Sequence, residues 1–209
     1  MIKNLIFDFG KVLVNYDFSH VINQFFTDKK KEEEFYNLFA SLKFLDICDK
    51  EDKPFSQIMQ DMRERYPQYA KEAMMYEERY MEFVIGEIEG MRAILTEMKK
   101  RGYKFYGLTN WCSMVHKVMK KYEIFSLLDG RVISSEEHII KPDVAIYNRL
   151  LEKYGLKPEE CVFTDDKPVN IIGAQKVGMK TILFENATQY KRELEKIIES
   201  EKLHPHSLP

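Results

Sequence analysis

The chain has 209 residues and a mass of 24.9 kDa, enough to bury a full core, either as one large domain or as a core carrying a smaller insertion. Lys plus Arg (32) nearly balance Asp plus Glu (34), so the net charge of -2 gives no global attraction to nucleic acid, and an anionic ligand has to be held by local positive groups. The cysteines Cys48, Cys112 and Cys161 are widely spaced and match no zinc-ligand pattern, and no apolar run is long enough to span a bilayer. A reduced, cytoplasmic protein outside the membrane is expected.

In chain order, Leu5-Ile6-Phe7 is a short apolar run of the kind that forms a buried strand; it ends at Asp8 and is followed by Gly10 and an extended flap at Val12-Leu13-Val14. From Phe18 to Gly86 the residues are helix-favouring, rich in Met, Glu, Lys, Phe and Tyr, with no strand evident. This segment reads as a helical cap, residues 16–86, inserted into a core formed by 1–15 and 87–209. Met91, Ile94, Leu95 and Met98 lie at helical spacing, Lys104 to Leu108 is strand-like, and Val115, Val118, Met119 and Tyr122 mark another helix, with its start placed just beyond Trp111. Three further strands, Arg131–Ser134, Cys161–Thr164 and Thr181–Phe184, alternate with helices around Tyr147–Tyr154 and Val169–Val177. Repeated βα units predict a parallel, doubly wound α/β sheet with helices on both faces. Gln189 to Glu201 reads as a last surface helix, and the tail from His204 as loose. The run Lys29-Lys30-Lys31-Glu32-Glu33-Glu34 has mixed signs and fits a solvated helix.

Four loops carry chemistry: Asp8-Phe9-Gly10, Thr109-Asn110, Lys141-Pro142 and Asp165-Asp166. Each comes just after a short apolar run of the kind that forms a buried parallel strand, so all four can meet at one edge of a sheet. An Asp at a strand end can attack phosphorus and form an aspartyl-phosphate, and Asp8 is that candidate. The attack needs a cation to offset repulsion between carboxylate and phosphate; Asp8, the Gly10 carbonyl and one of Asp165 and Asp166 offer the hard oxygen ligands that suit Mg²⁺. Thr109 offers a hydroxyl, Asn110 an amide, backbone N–H groups at the following helix start more donors, and Lys141 a full positive charge. Asn170 is placed to anchor the acidic loop. Singly these motifs have ordinary readings, as a helix cap, a turn or a solvated loop. Adjacent acids are costly unless a cation compensates them, which makes Asp165-Asp166 the most informative pair.

In this order, the residues from Leu5 to about Phe184 resemble the haloacid dehalogenase-like superfamily of hydrolases. The resemblance implies a Rossmann-like core with a helical cap. It makes Asp8 the nucleophile, Thr109 and Asn110 the phosphate-binding motif, Lys141 the motif lysine and Asp165 and Asp166 the motif acids. Asp166 is the preferred metal ligand of the two, and Asp165 orients Lys141 or a metal-bound water. One position departs from the pattern of most phosphatases of the superfamily, which carry a proton-transferring aspartate two residues after the nucleophile. Here that residue is Gly10, which cannot transfer a proton. The Asp-Phe-Gly-Lys-Val-Leu variant resembles the subgroup that includes α-D-glucose-1-phosphatases, which implies a sugar phosphate as substrate and Mg²⁺ as cofactor. The expected partner is a small phosphorylated metabolite, with the chain a monomer or homodimer. Two rivals stand beside the phosphatase: a metal-free carbon-halogen hydrolase, and a silent binder of phosphate esters.

Cys112 has no relay partner nearby in sequence and reads as a packed small residue. His20, His116 and His138 are isolated and read as surface or packing residues, while Trp111 suits either the site entrance or a helix-start contact. Met59, Met62, Phe39 and Phe44 read as cap core.

Overall fold

A computed structural model describes residues 1–41 and 43–203; the tail from His204 and the side chain of His20 lie outside the described residues. The central sheet has five parallel strands: β1 (Asn4–Phe7), with β4 (Lys104–Thr109), β5 (Gly130–Ile133), β6 (Cys161–Asp165) and β7 (Lys180–Leu183), in the order β5-β4-β1-β6-β7. Strand order reverses on either side of β1, so the crevice at the carboxyl ends of β1, β4 and β6 is the switch point where ligands of open α/β sheets bind.

Every residue of β1 and β6 is buried, as is typical of a strand covered on both faces. Alternate residues divide between two cores, as the two-residue period of a strand requires. Leu5, Phe7, Phe105 and Val162 pack with Met91, Ile94, Leu95 and Met98 of α6 (Met91–Lys100) and with Tyr190, Leu194 and Ile198 of α11 (Ala187–Leu203). Ile6, Tyr106, Leu108 and Phe163 pack with Ile146, Tyr147 and Leu150 of α9 (Val144–Tyr154) and Ile171 and Ala174 of α10 (Pro168–Lys176). The expected sheet with helices on both faces is therefore the one that forms, with strand ends within a residue or so of their expected positions.

The segment read as strandless contains one strand. β2 (Val14–Tyr16) pairs antiparallel with β3 (Val84–Glu87). Val12 and Leu13, expected in an extended flap, lie instead in the turn before β2. A four-residue Val-Ile-Gly-Glu strand is too short to show a period, and its partner lies almost seventy residues earlier. Among the described residues, five α-helices run between β2 and β3: α1 (Phe18–Ile22), α2 (Lys29–Ser41), α3 (Phe44–Lys50), α4 (Phe55–Arg65) and α5 (Ala70–Glu78). Their packing is largely aromatic: Phe35, Phe39 and Phe44 form a chain with ring centroids 4.2 and 4.3 Å apart, and Met59 and Met62 are buried beside it. Among the described residues no helix is long and apolar enough to cross a membrane.

Candidate active site

Asp8 follows β1 directly, and its N–H donates to the Thr164 carbonyl at 2.9 Å, which holds the residue against β6. The chain then turns sharply: Lys11 is left-handed, with φ +64°, and the N–H groups of Leu13 and Val14 both donate to the Phe9 carbonyl. Phe9 is fully buried against Phe125, and its ring leaves no room on β4, since a Cβ at Gly107 would lie 2.4 Å from it. Glycine at 107 thus makes the space that seats the loop bearing Asp8.

Lys141 reaches the same point from the loop before α9. Asn110 grips its backbone in both directions, accepting from Lys141 N–H at 2.7 Å and donating to its carbonyl at 2.9 Å. Asp143 caps α9 by accepting from Ala145 N–H, which fixes the other end of the loop. The Lys141 ammonium is buried, 3.0 Å from Asp8 Oδ1, 2.6 Å from Asp165 Oδ2 and 2.8 Å from the Leu108 carbonyl. Asp165 is committed throughout: besides Lys141, it accepts from Lys167 N–H at 2.9 Å and from Asn170 Nδ2 at 3.0 Å on each oxygen. Pro168, which has no N–H to lose, opens α10 immediately after.

Burial alone would push the Lys141 pKa down, but the Asp8 and Asp165 carboxylates reverse this and hold it above the ordinary value, so the lysine is charged. Burial raises Asp8 to about 6, with Lys141 pulling it down and Asp165 pushing it up. Half-buried Asp166 is also raised, first by burial and then by Asp165. Asp8, Asp165 and Asp166 each bring one oxygen to within 4.8 Å of the others, so three acids converge around a single lysine. That set of hard oxygen donors, carrying more negative charge than one lysine balances, fits a small divalent cation such as Mg²⁺. Thr109, at the end of β4, keeps a buried hydroxyl with no hydrogen-bond partner among the described residues.

A cavity of about 290 Å³ opens over these groups, lined by Asp8, Gly10, Asn110, Trp111, Asp166 and Lys167 from the sheet side, and by Leu45 and Asp49 of α3. Sequence reasoning did not single out Asp49, Glu51 or Lys167. The end of α3 is tied to the sheet side through three consecutive residues. Ser134 Oγ donates to the Asp49 carbonyl at 2.5 Å, His138 Nδ1 lies 3.1 Å from the Lys50 carbonyl, and Glu51 accepts from Ser113 N–H at 2.5 Å and Phe55 N–H at 3.0 Å. These contacts correct one expectation: α7 (Val115–Lys121) starts four residues after Trp111, not just beyond it, and two of the nearby N–H groups are occupied. Trp111 N–H donates to Ser134 Oγ, and Ser113 N–H to Glu51. A non-local carboxylate has taken a donor that the sequence left available.

Trp111 lines the cavity while its indole donates to Tyr80 at 2.7 Å; Cys112 is buried against the same hydroxyl, and burial pushes its thiol up to about 12. His116 faces Glu136 at 3.5 Å on the surface, away from the carboxylates. A larger, more apolar cavity of about 570 Å³ lies between α3 and α4, but Asp8, Lys141 and Asp165 do not line it.

The sequence profile of haloacid dehalogenase-like hydrolases matches residues 5–184. A sesquiterpene phosphatase of Aspergillus oryzae is 34% identical over 90 residues, 43% of this chain and 46% of the relative. A glyceraldehyde 3-phosphate phosphatase of Pyrococcus furiosus is 31% identical over 112 residues, 52% of this chain and 46% of the relative, so in both cases the match spans less than half the relative's length. In fold, the chain resembles a haloacid dehalogenase family enzyme of Bacteroides thetaiotaomicron solved with magnesium and inorganic phosphate. The TM-score is 0.70 at 23% identity, covering 89% of this chain and 96% of the other.

Proposed function

This chain belongs to the haloacid dehalogenase-like hydrolase family, and within it we propose a Mg²⁺-dependent phosphatase that hydrolyses a small phosphomonoester, with a sugar phosphate as the substrate class. The observation that carries this reading is the meeting of Asp8, Lys141, Asp165 and Asp166 at the carboxyl edge of the sheet, one lysine among three acids. Asp8, steadied by the Phe9 N–H and the Lys141 ammonium, is the nucleophile, and Lys141 holds it and the incoming phosphoryl group. Thr109 Oγ donates to a phosphoryl oxygen. Asn110 keeps Lys141 in place and has one amide hydrogen left to offer substrate. Asp165 is spent on Lys141 and Asn170, so Asp166, Asp8 and the Gly10 carbonyl are the direct metal ligands. Bound there, Mg²⁺ supplies the charge that lets a carboxylate approach a phosphate dianion.

The relatives named as phosphatases support phosphate-ester chemistry. Residues 16–86 act as a cap over the core of 1–15 and 87–209, closing the cavity to water and selecting the group that leaves. The cavity is sized for a small metabolite, and its Tyr16 and Trp111 rings beside Asn110, Lys11 and Lys167 suit a molecule with both ring faces and hydroxyls.

The test is phosphate release from a panel of esters that includes glucose 1-phosphate, with Mg²⁺ or EDTA, for the wild type and Asp8→Asn. Release that needs both Mg²⁺ and Asp8 is expected. Halide release from 2-haloacids in EDTA would replace this reading with a dehalogenase, and ester binding without turnover would replace it with a silent binder.

A further inference from the structure

Displacement at phosphorus runs in line, so the leaving oxygen departs on the side away from Asp8, toward whatever covers the cavity. The family pattern places the proton donor two residues after the nucleophile, but residue 10 is glycine, and the cavity wall opposite the sheet is α3. From α3 come Leu45 and Asp49, four residues apart and hence on one helix face. We propose that Asp49 is the acid that protonates the leaving group and the base that then activates water, doing from the insertion what Gly10 cannot. This deepens the phosphatase reading and rests on it.

Three observations carry the assignment. First, the Asp49 main chain is fixed: its own carbonyl and the two following residues are bonded to Ser134, His138 and Ser113 of the sheet side. Second, its carboxylate has no hydrogen-bond or ion-pair partner among the described residues, in contrast to Asp165 and Glu51, so a proton on it is free for transfer. Third, the charges around it are mixed. Lys167 of the loop before α10 and Lys141 favour its ionised form, whereas Asp46 of the same helix and Asp8 oppose it; Asp166, Lys11 and Tyr16 share the cavity and Glu51 follows two residues on. Burial outweighs these and raises the group to about 7, where an acid in one half-reaction can serve as the base in the next.

The steps balance. An Asp8 oxygen bonds to phosphorus as the ester P–O bond breaks, and the Asp49 proton passes to the departing oxygen, giving alcohol, aspartyl-phosphate and Asp49 carboxylate. That carboxylate takes a proton from water as the water oxygen attacks phosphorus. The bond to Asp8 breaks, phosphate leaves, and Asp49 is again protonated.

The test compares kcat/KM of the wild type, Asp49→Asn and Asp46→Asn on p-nitrophenyl, phenyl and ethyl phosphates. Because kcat/KM reports steps up to P–O cleavage, Asp49→Asn should lose about 10²–10⁴-fold on ethyl phosphate and little on p-nitrophenyl phosphate, whose leaving group needs no proton. The same variant should show a burst of p-nitrophenol equal to enzyme concentration, and should lose the basic limb of the pH profile near 7. Asp46→Asn removes an exposed charge that opposes Asp49 ionisation, so it should move the basic limb slightly down in pH while keeping the wild-type dependence on leaving group. Equal losses on all three esters, or none, would overturn the assignment while leaving the phosphatase intact. A wild type that releases phosphate from no ester would overturn both. If Asp49→Asn fails to fold, the wild type alone decides: a shallow dependence of kcat/KM on leaving-group basicity supports a proton donor, and a steep one rules it out.

Discussion

Replacing Lys141 with Met keeps the unbranched stem and removes the buried cation among three acids, so its cost follows from the geometry. The ammonium is buried with Asp8 at 3.0 Å, Asp165 at 2.6 Å and the Leu108 carbonyl at 2.8 Å. Removing one partner of a buried ion pair costs about 3–5 kcal/mol, because the charges left behind stay out of water without compensation. For a chain of this length each 1 kcal/mol moves Tm by about 2–4 °C, so Lys141→Met should melt roughly 6–20 °C below the wild type in EDTA at pH 8. The loss has a pH signature. Lys141 stabilises the fold only while its partners are ionised, and Asp8 takes a proton at about 6, so the gap between wild type and variant should narrow by pH 5. Adding Asp165→Asn to the variant should recover part of the loss, since one stranded charge is then gone. Calorimetry of the three proteins reads all of this. A Lys141→Met that melts within about 2 °C of the wild type at pH 8 would show that the acids do not depend on the lysine, and the reasoning would be wrong.

Asp49→Asn should change stability in the opposite direction. The folded protein holds the Asp49 pKa at about 7, above the unfolded value, so wild-type stability falls as pH rises through this window and the penalty is complete above the folded pKa. The variant should therefore melt higher than the wild type at pH 8 and match it near pH 3. Glu51→Gln should weaken the tie between α3 and the Ser113 loop by about 1–3 kcal/mol and raise KM more than it lowers kcat in steady-state kinetics. At Gly10 the backbone is not left-handed and an added Cβ would meet only the Trp111 ring at 3.6 Å, so Gly10→Asp should fold and, by restoring a second acid, rescue Asp49→Asn on poor leaving groups. No rescue would separate the two positions in function. Asp8→Asn should keep the wild-type circular dichroism spectrum while accumulating no acid-stable phosphoenzyme from labelled ester.

The residues legible in the sequence share one property: the signal is local. Leu5-Ile6-Phe7 and Cys161-Val162-Phe163-Thr164 are apolar runs because both of their faces are covered, and the acids that follow them must emerge at the same edge because the strands are parallel. Asp49 and Glu51 carry no such mark. They sit in a stretch dense with charge, Asp46 to Asp52, and what sets them apart is contact with Ser134, Ser113 and the Asp8 cavity, sixty or more residues away or near the N-terminus. The start of α7 is hidden from the sequence for the same reason. Trp111 N–H and Ser113 N–H bond to Ser134 and Glu51 where a local reading would begin the helix.

The ribbon between β2 and β3 separates two kinds of evolutionary freedom. Val14 pairs with Glu87, Ile88 N–H donates to the Leu13 carbonyl and Asp17 N–H to the Phe83 carbonyl, so the chain leaves and rejoins the sheet side through one hydrogen-bonded doorway. Any polypeptide whose ends lie about one strand spacing, roughly 5 Å, apart can be hung on that doorway without moving Asp8. Lengthening it changes only a loop-closure entropy that grows as the logarithm of its length. Natural variation can therefore rewrite the roof of the cavity, including the residue in position to carry a proton, while the floor that grips phosphate stays as it is.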